Sequence, residues 1–262
     1  MFEELLEDIA QKNGLSEVPP SLKLIAGLGA IVLCLFSSGF LPPLVIAFVL
    51  TIAILVLAHV ELRIYAGLFL IPVWFALMGV AGIILITGGQ DVYWQLDLLH
   101  GFALSVTRES INQGIYVFCR VIGGMSALFF IALTTPMTDI FSVLRKVQVP
   151  ETIIDLMMII YRTIFILLDQ VIQIYHAQIM RLGYSSYRES ITSFAQLCGA
   201  AFIASWNAGD DLVRAMDARC YAGKFALMKK SRPVEVVPCL VVIAFLAFSL
   251  LIVMTTGTIT LV

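Results

Sequence analysis

The chain has 262 residues, 60% of them hydrophobic and only 13% charged, with a mean hydropathy of +0.99 and a formal net charge of −2. Soluble domains run at about 45–50% apolar and about 25% charged residues, so an ordinary soluble globular protein is excluded and a bilayer is indicated. The five cysteines, Cys34, Cys119, Cys198, Cys220 and Cys239, contain no CxxC pair and lie mostly in apolar runs, which argues against a disulfide framework or a zinc site.

Met1 to Glu17 is acidic and polar, unlike a cleavable signal peptide. A spanning helix needs about 20 mostly apolar residues. Five segments approach this: Leu22–Phe36, Leu41–Ala58, Ile64–Ile86, Ile111–Leu133 and Val234–Met254. The second opens with Pro42-Pro43, tolerated in a first turn whose N–H groups have no intrahelical partner. Pro72 predicts a kink in the third, which Thr87-Gly88-Gly89 ends. Asp91 to Ser110 is of mixed polarity and is predicted to be an external loop with a short amphipathic piece. Arg120 lies inside the fourth span; a carboxylate partner, Asp139 or Asp155, or snorkelling would account for it.

The stretch 134–233 has a different texture. It holds eleven of the sixteen Lys and Arg residues: Arg145, Lys146, Arg162, Arg181, Arg188, Arg214, Arg219, Lys224, Lys229, Lys230 and Arg232. By the positive-inside rule this region is cytoplasmic, which places the N-terminus inside and the C-terminus outside across five spans. The division that follows is a cytoplasmic N-terminal segment (1–20), transmembrane helices 1–4 (21–133), a cytoplasmic helical domain (134–233) and a last transmembrane helix (234–256).

Within the cytoplasmic domain, Thr138–Val147 is predicted to be a short helix, and Pro150 opens a long one running to about Leu182. Asp155, Arg162, Asp169 and His176 recur along it every seven residues and form one narrow polar stripe. Neighbours in the stripe are about 10 Å apart along the axis, too far to pair with one another. Each is therefore expected to meet a group on another element or to face water, and a structural pairing role is preferred to a proton path. Ile191–Ala218 is the next helix, with Asn207-Ala208-Gly209 as a candidate interruption. It has no charge from Ser190 to Gly209, so a sixth span is its rival; Thr192, Ser193, Gln196, Ser205 and Asn207 make it amphiphilic instead. Tyr184, Tyr187 and Arg188 are expected to anchor the intervening turn at an interface. Gly199-Ala200-Ala201 and Ala204-Ser205 are small enough to let helices approach closely.

Two arginine motifs end these two helices: Met180-Arg181-Leu182-Gly183 and Ala218-Arg219-Cys220-Tyr221-Ala222-Gly223. A guanidinium fork at the end of a helix suits an acidic groove on a partner protein. No GxxxxGK[ST] run is present, so the chain does not carry its own P-loop. His59, His100 and His176 lack ligand-like spacing, and neither a metal site nor a cofactor is indicated.

Thr134-Thr135-Pro136, Leu144-Arg145-Lys146, Val149-Pro150, Tyr161-Arg162, Asp169 and the two arginine motifs stand in one ordered run. This run resembles the T component of energy-coupling factor (ECF) transporters, the EcfT/CbiQ family. The N-terminal Ile9-Ala10-Gln11-Lys12-Asn13-Gly14 and Val18-Pro19-Pro20 with Lys23 are similar to its cobalt-type branch, especially archaeal members. The family carries an Ala-Arg-Gly-like triplet at the end of each of two coupling helices. Here the first reads Met180-Arg181-Leu182 and the second Ala218-Arg219-Cys220, so the arginine is kept and the glycine is not. The resemblance covers about residues 9–255. It implies an all-α, L-shaped, non-catalytic scaffold in the cell membrane, joining a substrate-binding S component to two cytoplasmic ABC-type ATPases, with no nucleic-acid partner. Arg181 and Arg219 would each enter a groove on one ATPase. Cobalt is the substrate this branch implies, with nickel or a vitamin as alternatives. A stand-alone secondary transporter would need a charged or broken-helix site at mid-membrane and internal symmetry, and neither is visible. No constellation of carboxylate, His or Cys in the spans supports a membrane enzyme.

Overall fold

The computed structural model describes residues 10, 13–37, 39–86, 92–99, 102–221 and 236–256, with 92–106 as backbone. The helices are α1 (Pro20–Phe36), α2 (Leu41–Ile52), α3 (Leu62–Ile86), α4 (Arg108–Thr134), α5 (Met137–Lys146), α6 (Glu151–Met180), α7 (Tyr187–Ala218) and α8 (Val236–Thr255). Two compact units are formed, one from 1–140 with 230–262 and the other from 141–229.

All five apolar segments expected from the sequence are helices. Among the described residues, three are long and apolar enough to cross a membrane: Leu62–Leu85, Arg108–Thr134 and Val236–Thr255. The other two, Pro20–Phe36 and Leu41–Leu57, are shorter apolar helices. Pro20, Pro42 and Pro43 occupy first turns, where a missing N–H costs no intrahelical bond. Helix α2 passes directly into a π turn, Ala53–Leu57. Helix α3 continues through Pro72, and α7 runs unbroken through Asn207-Ala208-Gly209.

The expected loop between α3 and α4 contains instead an antiparallel β-hairpin, Val92–Leu99 paired with Phe102–Thr107. The sequence there alternates with period two, Val92, Trp94, Leu96 and Leu98 against Tyr93, Gln95 and Asp97, as strands do. The hairpin is an addition to an otherwise helical chain. It leads straight into α4, whose start is fixed by a reciprocal cap. Ser110 N–H donates to Thr107 Oγ1 at 3.2 Å, and Thr107 N–H donates to Ser110 Oγ at 3.0 Å.

In the first unit α4 packs against α1, α2 and α3, and α8 packs against α1. Its core holds Ala26, Ala30, Cys34, Ile46, Leu50, Ile54, Ala127, Phe130 and Leu133. Small residues set the helix spacing: a Cβ on Gly123 would lie 2.8 Å from Cys34 Sγ and 2.9 Å from the Pro43 carbonyl oxygen. Between membrane helices, where lipid competes equally for apolar surface, such close contact is the main source of association. Phe75, Ile71, Phe36 and Met254 remain exposed, as surfaces facing acyl chains do.

Among the described residues no carboxylate pairs with Arg120. Its guanidinium donates to the Ser37 carbonyl at 2.9 Å and lies 4.4 Å from the centre of the Tyr116 ring, while the Tyr116 hydroxyl donates to the same carbonyl. Ser37 is the C-cap of α1, where unpaired carbonyls attract a cation.

The Thr134-Thr135-Pro136 triplet is where α4 stops. Thr135 is extended at φ −125° and ψ 106°, as a residue before proline prefers, and Pro136 cannot continue the helix. The freed carbonyls are met by side chains from far away in sequence. Lys23, almost wholly buried, donates from Nζ to the Thr134 carbonyl at 2.8 Å. Asn13 donates from Nδ2 to the carbonyls of Thr134 at 3.0 Å and Ala10 at 2.7 Å. Thr134 Oγ1 donates to the Phe130 carbonyl at 2.6 Å. Replacing Lys23 by Met keeps the aliphatic stem and removes the charged one of the two donors to the Thr134 carbonyl, leaving only Asn13. We expect a loss of about 1–3 kcal/mol, read as a lower unfolding temperature of the detergent-purified protein; an unchanged midpoint would contradict this reading of the α4 terminus.

Candidate functional site: two arginine turns and a buried carboxylate

The second unit is built from the end of α5, α6 and α7. Among its described residues only Phe141, Ile154, Asp155, Ser193 and Leu197 are buried. Helix α6 exposes Ile153, Leu156, Ile160, Ile164, Ile172 and Ile179, and α7 exposes Ile191, Phe194, Phe202, Ile203 and Trp206. These stripes are too extensive for a surface that stays in water, so other molecules must cover them.

Both arginine motifs fold into the same turn. Arg181 is the C-cap of α6 (φ −93°, ψ 12°), and Arg219 is the C-cap of α7 (φ −98°, ψ 12°). The next residue is left-handed in each case, Leu182 at φ 59° and Cys220 at φ 50°. The hydrogen bonds correspond one to one. Leu182 N–H donates to Ile179 O at 3.0 Å and Gly183 N–H to Gln178 O at 2.9 Å; Cys220 N–H donates to Asp217 O at 3.0 Å and Tyr221 N–H to Met216 O at 3.1 Å. This is a Schellman motif, which satisfies the last carbonyls of a helix by reversing the chain. Its left-handed position favours glycine, the residue absent from both triplets. The backbone holds the turn even so. The flanking residues differ between the turns: Met180 and Leu182 are bulky and strongly exposed, whereas Ala218 and Cys220 are small.

Each turn is tied down differently. In the first, Ser193 Oγ donates to the Gly183 carbonyl at 2.8 Å, Gln178 Nε2 donates to the Ser193 carbonyl at 3.0 Å, and Tyr184 OH donates to Gln178 Oε1 at 2.8 Å. Tyr184 also packs its ring on Tyr175, so it braces the hairpin, while Tyr187 stays exposed. A shallow groove of about 390 Å³, lined by Gln178, Arg181, Ser193 and Gln196 among others, runs beside Arg181.

The second turn is tied through Asp155. This carboxylate, on the first turns of α6, is 3% exposed. Arg145 Nη2 approaches it at 3.4 Å from α5, and the Tyr221 hydroxyl donates to it. Desolvation, then the negative charge of Asp155, push the Tyr221 phenol above its ordinary value of 10, so it stays a hydrogen-bond donor. The other members of the stripe, Arg162, Asp169 and His176, are exposed, and no hydrogen bond or ion pair engages them among the described residues. Within the stripe, Asp155 is the member that meets a cation among the described residues. Neither Arg145 nor Tyr221 stands out as its partner in the sequence, since both are remote from it in the helical register. Pro150 is the N-cap of α6. Ala222 and Gly223 lie outside the described residues. Among the described residues no group of three or more His, Cys, Asp or Glu side chains is placed to hold a metal ion.

Fold and site together define a polytopic helical membrane protein that presents two matched arginine turns on a sparsely packed helical unit. Residues 11–231 match the profile of the CbiQ family, described as cobalt transport protein. The chain belongs to that family and is a membrane subunit of a transporter. It is 39% identical to a putative fused cobalt transport protein CbiMQ of Methanocorpusculum labreanum, over 94% of this chain but only 41% of that longer one. It is 34% identical to an uncharacterized protein of Methanocaldococcus jannaschii, over 87% of this chain and 85% of that one. It is 28% identical to the energy-coupling factor transporter transmembrane protein EcfT of Limosilactobacillus fermentum, over 79% of each.

Three substitutions test the turns. Cys220→Gly relieves the left-handed strain and should raise stability by about 1 kcal/mol, measured as a shift in thermal midpoint; destabilisation would contradict the left-handed assignment. Gly183→Val should destabilise the unit, because a Cβ there would lie 2.6 Å from Ser193 Oγ. Ser193→Ala should recover part of that loss, and no recovery would place the clash elsewhere.

Proposed function

We propose that this chain is the coupling subunit of an ATP-driven importer, linking two cytoplasmic ABC-type ATPases to a substrate-binding membrane S component, with cobalt as the transported ion. The observation that carries this reading is the duplicated turn: two helices end in the same Schellman geometry, each with an exposed arginine at the C-cap. Two equal forks fit two ATPase subunits, each offering an acidic groove. An arginine–carboxylate contact at an interface is bidentate and directional, so it carries force as well as affinity.

The exposed apolar stripes of α6 and α7 support a second, membrane-embedded partner. They suit the S component and the surrounding lipid. The cobalt assignment rests on the family description and on the relatives named as cobalt transport proteins. In the Methanocorpusculum relative, the fused name and the 41% coverage mean that a further segment is covalently joined to the matching one. A membrane partner would play the same part here. The 134–233 segment then faces the cytoplasm, with the N-terminus on the same side and the C-terminus outside. Hydrolysis belongs to the ATPases, and this chain has no catalytic role. Closure of the ATPases on ATP would move the two forks, and the helices carrying them would reorient the S component.

The test is pull-down and substrate-stimulated ATP hydrolysis in membranes, comparing the native chain with the Arg181→Glu, Arg219→Glu double variant. Loss of ATPase co-purification from a variant that still inserts and folds is the expected outcome. Unchanged association and uptake would overturn the coupling role. Each buried arginine–carboxylate contact is expected to contribute roughly 2–5 kcal/mol to association.

A further inference from the structure

Helices α1 and α4 run antiparallel in one register. Lys23 meets Thr134, a Cβ on Gly27 would meet Ile131, Cys34 lies against Gly123, and Ser37 meets Arg120. Helix α1 stops at that level, and the chain turns back into α2 at Leu41. Helix α4 continues. From Thr134 to Arg120 is 14 residues, or about 21 Å at 1.5 Å per residue, and from Arg120 to Arg108 another 12, or about 18 Å. The face of α4 that meets α1 changes character at Arg120. On one side Gly123, Ala127, Phe130 and Thr134, spaced by three and four residues, are buried. On the other the same spacing runs on through Tyr116, Gln113 and Glu109, the last two exposed. Such a face suits water and headgroups rather than acyl chains. Arg120 itself donates from Nη2 to the Ser37 carbonyl at 2.9 Å and lies 4.4 Å from the centre of the Tyr116 ring, with no carboxylate to balance it among the described residues.

We propose that Arg120 binds the phosphate of a membrane lipid, in the leaflet nearer the β-hairpin, and that the bilayer is thinned over the turn between α1 and α2. A hydrocarbon core is about 30 Å thick, so in a flat bilayer bounded near Thr134 the guanidinium would lie about 9 Å inside it. An unbalanced cation is costly at such a depth. Bringing a headgroup down the polar face of α4 removes that cost, and thinning to match a short pair of helices is a modest penalty in exchange. The Ser37 carbonyl takes one of five guanidinium donors. A phosphodiester suits the others, because the planar fork matches two of its oxygens. Phe36, 73% exposed at the end of α1, offers acyl chains a surface at the same level. The proposal concerns the first unit alone and does not depend on the coupling reading.

The experiment uses the full chain in mild detergent, offers it phosphatidylglycerol or a glucosyl diacylglycerol that has no phosphate, and reads the lipid retained by native mass spectrometry. The native chain should keep phosphatidylglycerol and release the glucosyl lipid, and inorganic phosphate should not displace what is kept. Arg120→Gln should weaken retention about tenfold, as loss of a charged hydrogen-bonding partner does. Arg108→Gln, at the far end of α4, should leave retention unchanged. Equal retention of the two lipids by the native chain would overturn the proposal. Displacement by inorganic phosphate would also overturn it, because the site would then take a soluble anion. Neither of these outcomes needs a variant, so they stay decisive if Arg120→Gln does not fold. Native retention by a folded Arg120→Gln, or loss in Arg108→Gln instead, would place the lipid contact elsewhere and overturn it as well.

Discussion

Every α-helix ends with carbonyls that have no partner within the helix, and in a chain this apolar little water is at hand to satisfy them. The ways these ends are met organise the whole molecule. Helix α1 ends under Arg120 and Tyr116, both from α4. Helix α4 ends on Lys23 and Asn13, residues more than a hundred positions earlier. Helices α5, α6 and α7 each end in a backbone reversal through a left-handed residue, Gln148, Leu182 and Cys220. In the first unit the carbonyls recruit distant side chains and so tie the helices together. In the second they are satisfied locally, which leaves the adjoining side chains available. Arg181 and Arg219 are available for that reason.

The two units differ in the same sense in their packing. The first has a continuous core with glycine at points of close helix approach. The second buries five described residues and exposes most of its apolar surface. A unit with so little core of its own gains order from what it binds. The proposed work of this chain suits that division between a packed scaffold and a pair of long helices with little core of their own. Asp155 then matters because it is one of the few buried contacts in the second unit, and a polar one. A charged contact is more directional than an apolar one and can hold an angle where a few leucines could not.

Hydropathy alone was enough to locate all five apolar helices, because a bilayer demands long apolar runs and tolerates little else. Their ends were less legible. Ile111 was the expected start of α4, which in fact begins at Arg108, since a Thr–Ser reciprocal cap is a weaker signal than one with glutamate. The hairpin Val92–Thr107 was hidden by its mixed polarity, although its period-two alternation was there to find. At the site, the arginines were visible as residue types, but the turn that presents them was not. Leu182 and Cys220 carry no mark of left-handed geometry, which is normally read from glycine. The partners of Asp155 were illegible for another reason: Arg145 and Tyr221 reach it only through tertiary folding, and no spacing along one helix encodes them. Lys23 and Asn13 stood in the N-terminal pattern, yet nothing local linked them to Thr134. For Arg120 charge suggests a carboxylate or snorkelling, whereas the partner is the helix terminus at Ser37, which no sequence pattern marks.

The central claim is that both arginine turns meet ATPase subunits. It is tested most directly by placing a photo-crosslinking amino acid at position 182, and separately at 220, in the native membrane complex, then identifying the attached chains by mass spectrometry. The account predicts a crosslink to a cytoplasmic ATPase from each position, with the arginine intact beside it. Crosslinks to lipid alone, or to no ATPase from either position, would contradict it.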